Sequence, residues 1–318
     1  MTECIAIFLV ARLVFLSPQD STTQILFWNL ENFFDWRNDG TSASDAEFSS
    51  WGPRRWTRKR FKAKCQAIAK AILWAGTQKG SLPDIIGIAE IENAFVLQRL
   101  IQTTALRKLD YGIIHFDSPD SRDIDVALLY RKSRMKLVDA KPCHLYDRDS
   151  SVMATRDILL ARFKRPGKED VAFLVNHHPS KYGGTDVSEP RRRQAVMRLR
   201  YLADSLLSAG VRCIVAMGDF NDTPANPVYR MLEPSFDNVS DVLFRQGKGS
   251  IKYDGAWELI DLFFVTPECC PSKTDVLLIP FLQTPDKAHA GTKPLRTYSG
   301  PRYLGGVSDH CPIWLEII

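Results

Sequence analysis

Apolar residues in this chain fall mostly into short runs without a helical stripe, and several runs end in carboxylates, amides or imidazoles. Residues 211–217 (Val-Arg-Cys-Ile-Val-Ala-Met) are followed by Gly218, Asp219, Phe220, Asn221, Asp222, Thr223 and Pro224. Such a run predicts a buried strand, and the glycine and short polar residues predict its end. Asp219 and Asn221 then stand at a strand terminus. A carboxylate two residues from a carboxamide on a stiff element suits the positioning of a water or a phosphate oxygen, although the same residue types also form plain turns.

The pattern recurs along the chain. Ile25 to Trp28 reads as a buried strand ended by Asn29. Residues 83–93 are apolar until Glu90, a carboxylate that needs a partner or a cation in such a run. A hard divalent metal is one such partner. Further strands are expected at 111–116, 124–130 and 135–139, with Arg122, Asp123 and Asp125 just before one of them. Asp125 is expected as an exposed charge at a strand start, or as the group that orients an imidazole. Residues 171–181 form a strand that ends in Asn176, His177, His178, Pro179, Ser180 and Lys181. Histidine is readily protonated near neutral pH and can donate to a phosphate oxygen. Asp261 interrupts an apolar run at 257–265, and Ser308, Asp309 and His310 precede the last apolar run. Adjacent side chains on a regular strand face opposite ways, so Asp309 and His310 reach one spot only at an irregular strand entrance.

Two stretches carry helical periodicity. Residues 55–75 place Phe61, Ala67, Ile68, Ala71 and Ile72 on one face with Arg and Lys opposite. Helices are also expected over 94–101 and from the Arg191-Arg192-Arg193 run to about Ser208. Between the elements, the loops at 36–53, 180–190 and 283–305 are where substrate selectivity is expected.

Composition adds bounds. At 318 residues and 45% hydrophobic content the chain can bury a substantial core, and no repeat or low-complexity linker divides it. Lys plus Arg is 42 against 37 Asp plus Glu, a net +5 that fits an anionic substrate. Residues 5–16 are apolar except for Arg12, too short to span a bilayer but of the length of an export-signal core. Residues 1–21 are therefore expected to be an export signal, the mature protein periplasmic or secreted, without a transmembrane anchor and monomeric, and residues 22–318 one catalytic domain. The remaining cysteines show no C-x-x-C spacing, so neither a zinc or redox site nor a disulfide framework is expected. Cys213 and Cys311 read as small core residues.

Carboxylates for a divalent cation, an acid–base group for water, and imidazoles or amides for charge on phosphorus are what phosphate-ester hydrolysis requires. In their order, Trp28-Asn29-Leu30-Glu31-Asn32, Ala89-Glu90-Ile91-Glu92-Asn93, Asn176-His177-His178-Pro179-Ser180, Gly218-Asp219-Phe220-Asn221, Leu259-Ile260-Asp261 and Ser308-Asp309-His310 resemble the endonuclease/exonuclease/phosphatase superfamily of DNase I-like enzymes. The resemblance implies a four-layer α/β sandwich, with two mixed β-sheets face to face and helices outside. It implies Mg2+ or Mn2+ held by Glu90 with Asn29 and Asp309. Asp219 would act on the water, Asn221 and His310 would hold and stabilise the phosphoryl group, and Asp261 would orient a histidine. His177 matches the second site histidine, although His178 replaces a bulky apolar residue and leaves the choice between the two open. Arg122 joins Asn221 and His177 as an expected substrate contact. A nuclease cutting DNA or RNA is the expected activity. The alternatives are a phosphatase or phosphodiesterase acting on inositol phosphates or lipid headgroups, and a non-catalytic binding module on the same fold.

Overall fold

The computed structural model describes residues 22–40, 42–180 and 185–318. The apolar runs assemble into two six-stranded sheets. In spatial order the first holds β13 (Pro271–Val276), β18 (Ile313–Ile317), β1 (Thr23–Phe33), β2 (Ile85–Ile91), β4 (Asp125–Arg131) and β3 (Tyr111–His115). The second holds β5 (Lys136–Cys143), β6 (Ile158–Lys164), β7 (Val171–His177), β8 (Cys213–Asp219), β12 (Asp261–Val265) and β9 (Asp237–Asn238). Three hairpins stand apart: β10 (Ile251–Tyr253) with β11 (Ala256–Glu258), β14 (Gln283–Pro285) with β15 (Thr292–Pro294), and β16 (Tyr298–Ser299) with β17 (Arg302–Tyr303).

The alternation along β1 shows how the layers form. Ile25 and Phe27 enter the core between the sheets, while Leu26 and Trp28 join the cluster under the outer helices. A strand buried on both faces needs this unbroken apolar run. β1 pairs with β2 in parallel, as does β7 with β8, and parallel neighbours require a long crossover. α1 (Ala43–Glu47) and α2 (Arg58–Lys79) lie in the first connection, and α4 (Thr185–Ser208) forms the second. α2 is closed by a Thr57 cap at its start and by Gly80, with φ 76°, at its end, and it buries Phe61, Cys65, Ile68 and Ile72. α3 (Ala94–Gln102) packs beside α2. Val196, Leu199 and Ala203 of α4 pack into the core cluster that includes the second sheet, and α5 (Asp241–Arg245) lies against β13. The result is the expected four-layer α/β sandwich.

The sheets approach closely at Gly87 on β2. A Cβ there would lie 2.8 Å from Met217 Sδ on β8 and 3.0 Å from the Phe27 ring. This contact sits directly behind the strand ends that carry Glu90 and Asp219.

Several expectations needed correction. β1 does not end at Asn29. It runs on to Phe33 through a register shift, with Glu31 at φ 46° and Asn32 at φ 51°. The polar Asn-Leu-Glu-Asn stretch reads locally as a turn, but tertiary hydrogen bonds keep it in the sheet. α2 starts at Arg58 rather than at 55 because Thr57 caps it. Asp261 opens β12 instead of interrupting a strand, and Trp257 belongs to a separate hairpin. Asp125 is buried, not exposed: it accepts from Ser118 N (3.0 Å) and lies 3.0 Å from His115 Nε2. Cys213 and Cys269 form a disulfide. Fifty-six residues separate them, and only the position of Cys269 after β12, beside β8, brings them together. The expected export segment lies outside the described residues. Among those described, no helix is long and apolar enough to cross a membrane.

Candidate active site

Residues of five strands and of the approach to a sixth meet at a single edge of the sandwich. Asn29 and Glu90 come from the first sheet. His177, Asp219 and Asp261 come from the second, where Asp219 is in register with both His177 and Asp261. His310 arrives from the irregular approach to β18, fixed by its N–H donating to Ser308 Oγ (2.9 Å) and its carbonyl accepting from Trp28 Nε1 (2.9 Å). Ser308 Oγ in turn donates to Asn29 O at 2.6 Å, joining the His310 approach to β1.

Asp219 is the hub. Its Oδ2 accepts from Asn29 Nδ2 at 3.0 Å and lies 3.7 Å from both His177 Nε2 and His310 Nε2. Its Oδ1 accepts from Asn221 N at 2.9 Å. His310 Nδ1 contacts Asp261 Oδ2 at 2.7 Å, a buried Asp–His pair that fixes the ring with Nε2 toward Asp219. Glu90, at φ 59°, accepts from Asn32 N (2.8 Å) and Asn29 Nδ2 (3.3 Å), and its Oε1 lies 4.0 Å from His177 Nε2. A non-glycine residue at positive φ is held there by its surroundings, here the bulge of β1 that supplies Asn32.

The charges divide in a way that suits acid–base work. Burial pushes the Asp219 carboxyl up to about 7, with Asp261 adding to the rise and His310 opposing it. Burial disfavours a charged His310, but Asp261, Asp219 and Asp309 together hold it well above the ordinary histidine value. His177 is held well below it, first by burial and then by Arg156 and Arg122. The site therefore pairs one imidazole that favours its charged form with one that favours its neutral form.

Not every expected residue is in this cluster. Asp309 is at its edge, with Oδ1 3.8 Å from His310 Nε2 and Oδ2 3.0 Å from Arg296. Asn221, at φ 52°, donates Nδ2 to His178 O at 2.9 Å, which leaves one of its two N–H bonds for a substrate. Arg122 touches none of the cluster; it lies 3.6 Å from Asp120 on a cavity of about 530 Å3. The structure also separates the two histidines. His177 faces Asp219 and Glu90, while His178 packs edge-on against Phe220 (4.5 Å) and, among the described residues, neither of its ring nitrogens has a hydrogen-bond partner. Asp219 is only 2% exposed and His310 9%, so both side chains are largely enclosed by the protein.

Sequence reasoning missed the supports. Lys64 on α2 is buried and donates to Glu31 O (2.6 Å) and Thr297 Oγ1 (2.9 Å). Glu31 accepts from Arg296 Nε (2.9 Å) and Thr297 N (3.1 Å). Arg156 donates to Asp120 (3.0 Å) and to His178 O (2.7 Å). Lys64 stands mid-helix among surface-type lysines, and nothing local marks it as buried.

Glu90 and Asp309 are hard oxygen donors at the partly exposed margin of the cluster, and Asn29 sits between Glu90 and Asp219. Burial first, and then the neighbouring Asp309, push Glu31 up to about 7, against Arg296 and Lys64. The oxygen donor set fits a Mg2+-like cation, which binds through one or two carboxylates and keeps several waters. Asp219, Asp261 and His310 also lie close enough to be considered as ligands. The 2.7 Å contact within the Asp261–His310 pair occupies those atoms with each other, so we read them as a hydrogen-bonded chain.

Solved structures share this fold at low identity. A humanized D. rerio TDP2 carrying 14 mutations has 14% identity and a TM-score of 0.58, covering 93% of this chain and 99% of that one. A mannosyl-6-phosphatase of Bacteroides thetaiotaomicron has 15% identity and a TM-score of 0.62, again covering 93% and 99%. The human Nocturnin catalytic domain, with bound sulfate anion, has 17% identity and a TM-score of 0.60, covering 93% of this chain and 94% of that one. No curated protein sequence matches the chain. A family model does, over residues 24–318, and the chain belongs to the endonuclease/exonuclease/phosphatase family.

Proposed function

We propose that this protein hydrolyses phosphodiester bonds of nucleic acid with the help of a divalent cation. The observation that supports this most directly is the geometry around Asp219: one carboxylate within 3.7 Å of two imidazoles, beside an amide and a second carboxylate. Asp219 orients the attacking water and takes its proton, which a carboxyl pushed up to about 7 can do near neutral pH. His310, held charged by Asp261, donates through Nε2 to a phosphoryl oxygen as negative charge builds there. His177 and the remaining Asn221 N–H hold other oxygens of the same group. Mg2+ or Mn2+ at Glu90, Asn29 and Asp309 would supply Lewis-acid polarisation of the phosphoryl group.

The net charge of +5 supports a polyanionic substrate. Phosphate-monoester hydrolysis on a sugar or lipid headgroup is the second reading, favoured by the fold shared with a mannosyl-6-phosphatase. Hydrolysis of plasmid, single-stranded DNA, RNA, inositol phosphate, sphingomyelin and a sugar phosphate, each with and without Mg2+ or Mn2+, tests both. Cleavage of nucleic acid that stops with EDTA is the expected result. Turnover confined to monoesters selects the second reading, and no metal-dependent turnover at all refutes both.

A further inference from the structure

Between the start of α2 and the end of α3 lies a groove of about 420 Å3, lined by Trp36 and Phe61 and walled by Arg58, Lys59, Lys62 and Arg99. Among the described residues, none of these four cations lies within ion-pair distance of a carboxylate; Arg58 instead stands 5.5 Å from the Trp36 ring. Arg58 and Lys59 also open α2, whose first turn has no acidic residue, so positive charge gathers at the positive end of the helix dipole. A chain gains nothing internally from that arrangement. An anion at the groove offsets it.

A second feature stands beside the first. Trp51 exposes 88% of its surface, and the preceding Ser50 donates both N–H and hydroxyl to Trp36 O at 2.9 Å. A large indole left in water contributes little to packing and offers an open aromatic face to a ligand. The groove is also tied to the site. Asn32 N donates to Glu90 Oε2 at 2.8 Å and Asp35 N to Glu92 Oε2 at 2.7 Å, so the backbone passes from the site margin to Trp36 within four residues. That span is at most about 14 Å, or roughly four stacked nucleotides at ~3.4 Å each.

We propose that this groove and Trp51 bind single-stranded nucleic acid next to the scissile phosphate, an inference that rests on the phosphodiesterase reading of the neighbouring site. Bases stack on Trp51 and on the open part of Trp36, while Arg58, Lys59, Lys62 and Arg99 follow the phosphates. Aromatic platforms beside an unpaired cationic track are how proteins hold single strands without reading sequence. An acidic peptide would use the cations but not two indoles. An anionic membrane would call for several protruding apolar side chains rather than a walled groove.

The test separates binding from catalysis. The Asp219→Asn protein in EDTA is titrated against a fluorescein-labelled single strand of about twelve nucleotides, a length within the usual site sizes. Anisotropy is read from about 50 to 200 mM salt. Adding Trp51→Ala weakens binding about tenfold, within the range for loss of one stacked base. Adding Lys59→Ala and Lys62→Ala lowers the slope of log affinity against log salt by about 1.4, at ~0.7 for each phosphate no longer neutralised. In otherwise native protein the same substitutions leave turnover of bis(p-nitrophenyl) phosphate unchanged, since all three side chains are exposed and away from the reacting groups.

No binding of the strand overturns the proposal, as does parental affinity in the Trp51→Ala protein. So does tight binding of phosphatidylserine vesicles, but not of the strand, that depends on the same residues. If nucleic acid is cleaved but Trp51→Ala binds like its parent, this proposal fails and the proposed function stands. If strand binding depends on Trp51 but no nucleic acid is cleaved, the proposed function fails and the groove remains a strand-binding surface.

Discussion

Replacing Asp261 by Asn removes one negative charge from the buried Asp261–His310 pair while keeping its shape. The contact is 2.7 Å, Asp261 is 1% exposed, and its Oδ1 has no other partner among the described residues. Asp261, Asp219 and Asp309 hold His310 charged against burial, and Asp261 is the largest of these influences. With Asn there, the imidazole loses much of its reason to carry a proton, and a neutral ring stabilises phosphoryl charge less well. Loss of one preorganised donor of this kind costs about a hundredfold or more in rate.

The opposite substitution behaves differently. His310→Gln leaves the Asp261 carboxylate buried beside a neutral amide, and an orphaned buried charge costs about 3–5 kcal/mol of a total near 5–15 kcal/mol. His310→Gln should therefore be slow and easily melted, whereas Asp261→Asn should be slow and hold its fold better. The double variant should be no more than about threefold slower than the slower single, because both losses fall on one interaction. It should also melt above His310→Gln alone, since the orphaned charge is gone. Hydrolysis rates on the best substrate of the panel, with thermal melts followed by circular dichroism, measure all three. Multiplicative rate losses, or a double variant less stable than His310→Gln, would refute the pair as a working unit.

Three further outcomes follow from individual positions. Glu90→Gln keeps the bond to Asn32 but removes the charge, so activity should fall steeply and recover in part at raised Mg2+ or Mn2+; an unchanged metal midpoint would remove Glu90 from the cation site. His178 is pushed down to about 3 by burial, Arg156 and Arg192, so the unfolded chain binds its proton first and stability is lost as pH falls from about 6.5 toward 3. His178→Leu should relieve about 2 kcal/mol of that loss at pH 5 and leave activity intact, which urea unfolding at pH 7.5 and 5 will show. Gly218→Ala places a Cβ 2.2 Å from Asn176 O between β7 and β8, so urea titration should show a loss of about 1–3 kcal/mol or more, with lower activity from the displaced Asp219.

The chain's own pattern carried the buried strands and the candidate polar residues at their ends, while the sandwich followed from the family resemblance. Unbroken apolar runs at β1, β2, β7 and β8 require burial on both faces, and that requirement is local enough to read from residue order. The polar residues that end those runs are legible for the same reason: Glu90, His177 and Asp219 break an apolar rule that nothing nearby explains. Tertiary structure decided which of them meet. His177 and His178 are neighbours of the same type, and only the docking of the β7 end against β8, where His178 N donates to Asp219 O, turns one toward Asp219 and the other toward Phe220. The bulge after Asn29, the buried Lys64, the Arg296 bridge between Glu31 and Asp309, and the Cys213–Cys269 disulfide depend on partners far away in sequence. Contacts between positions this distant in sequence exist only once the chain has folded, so no local pattern announces them.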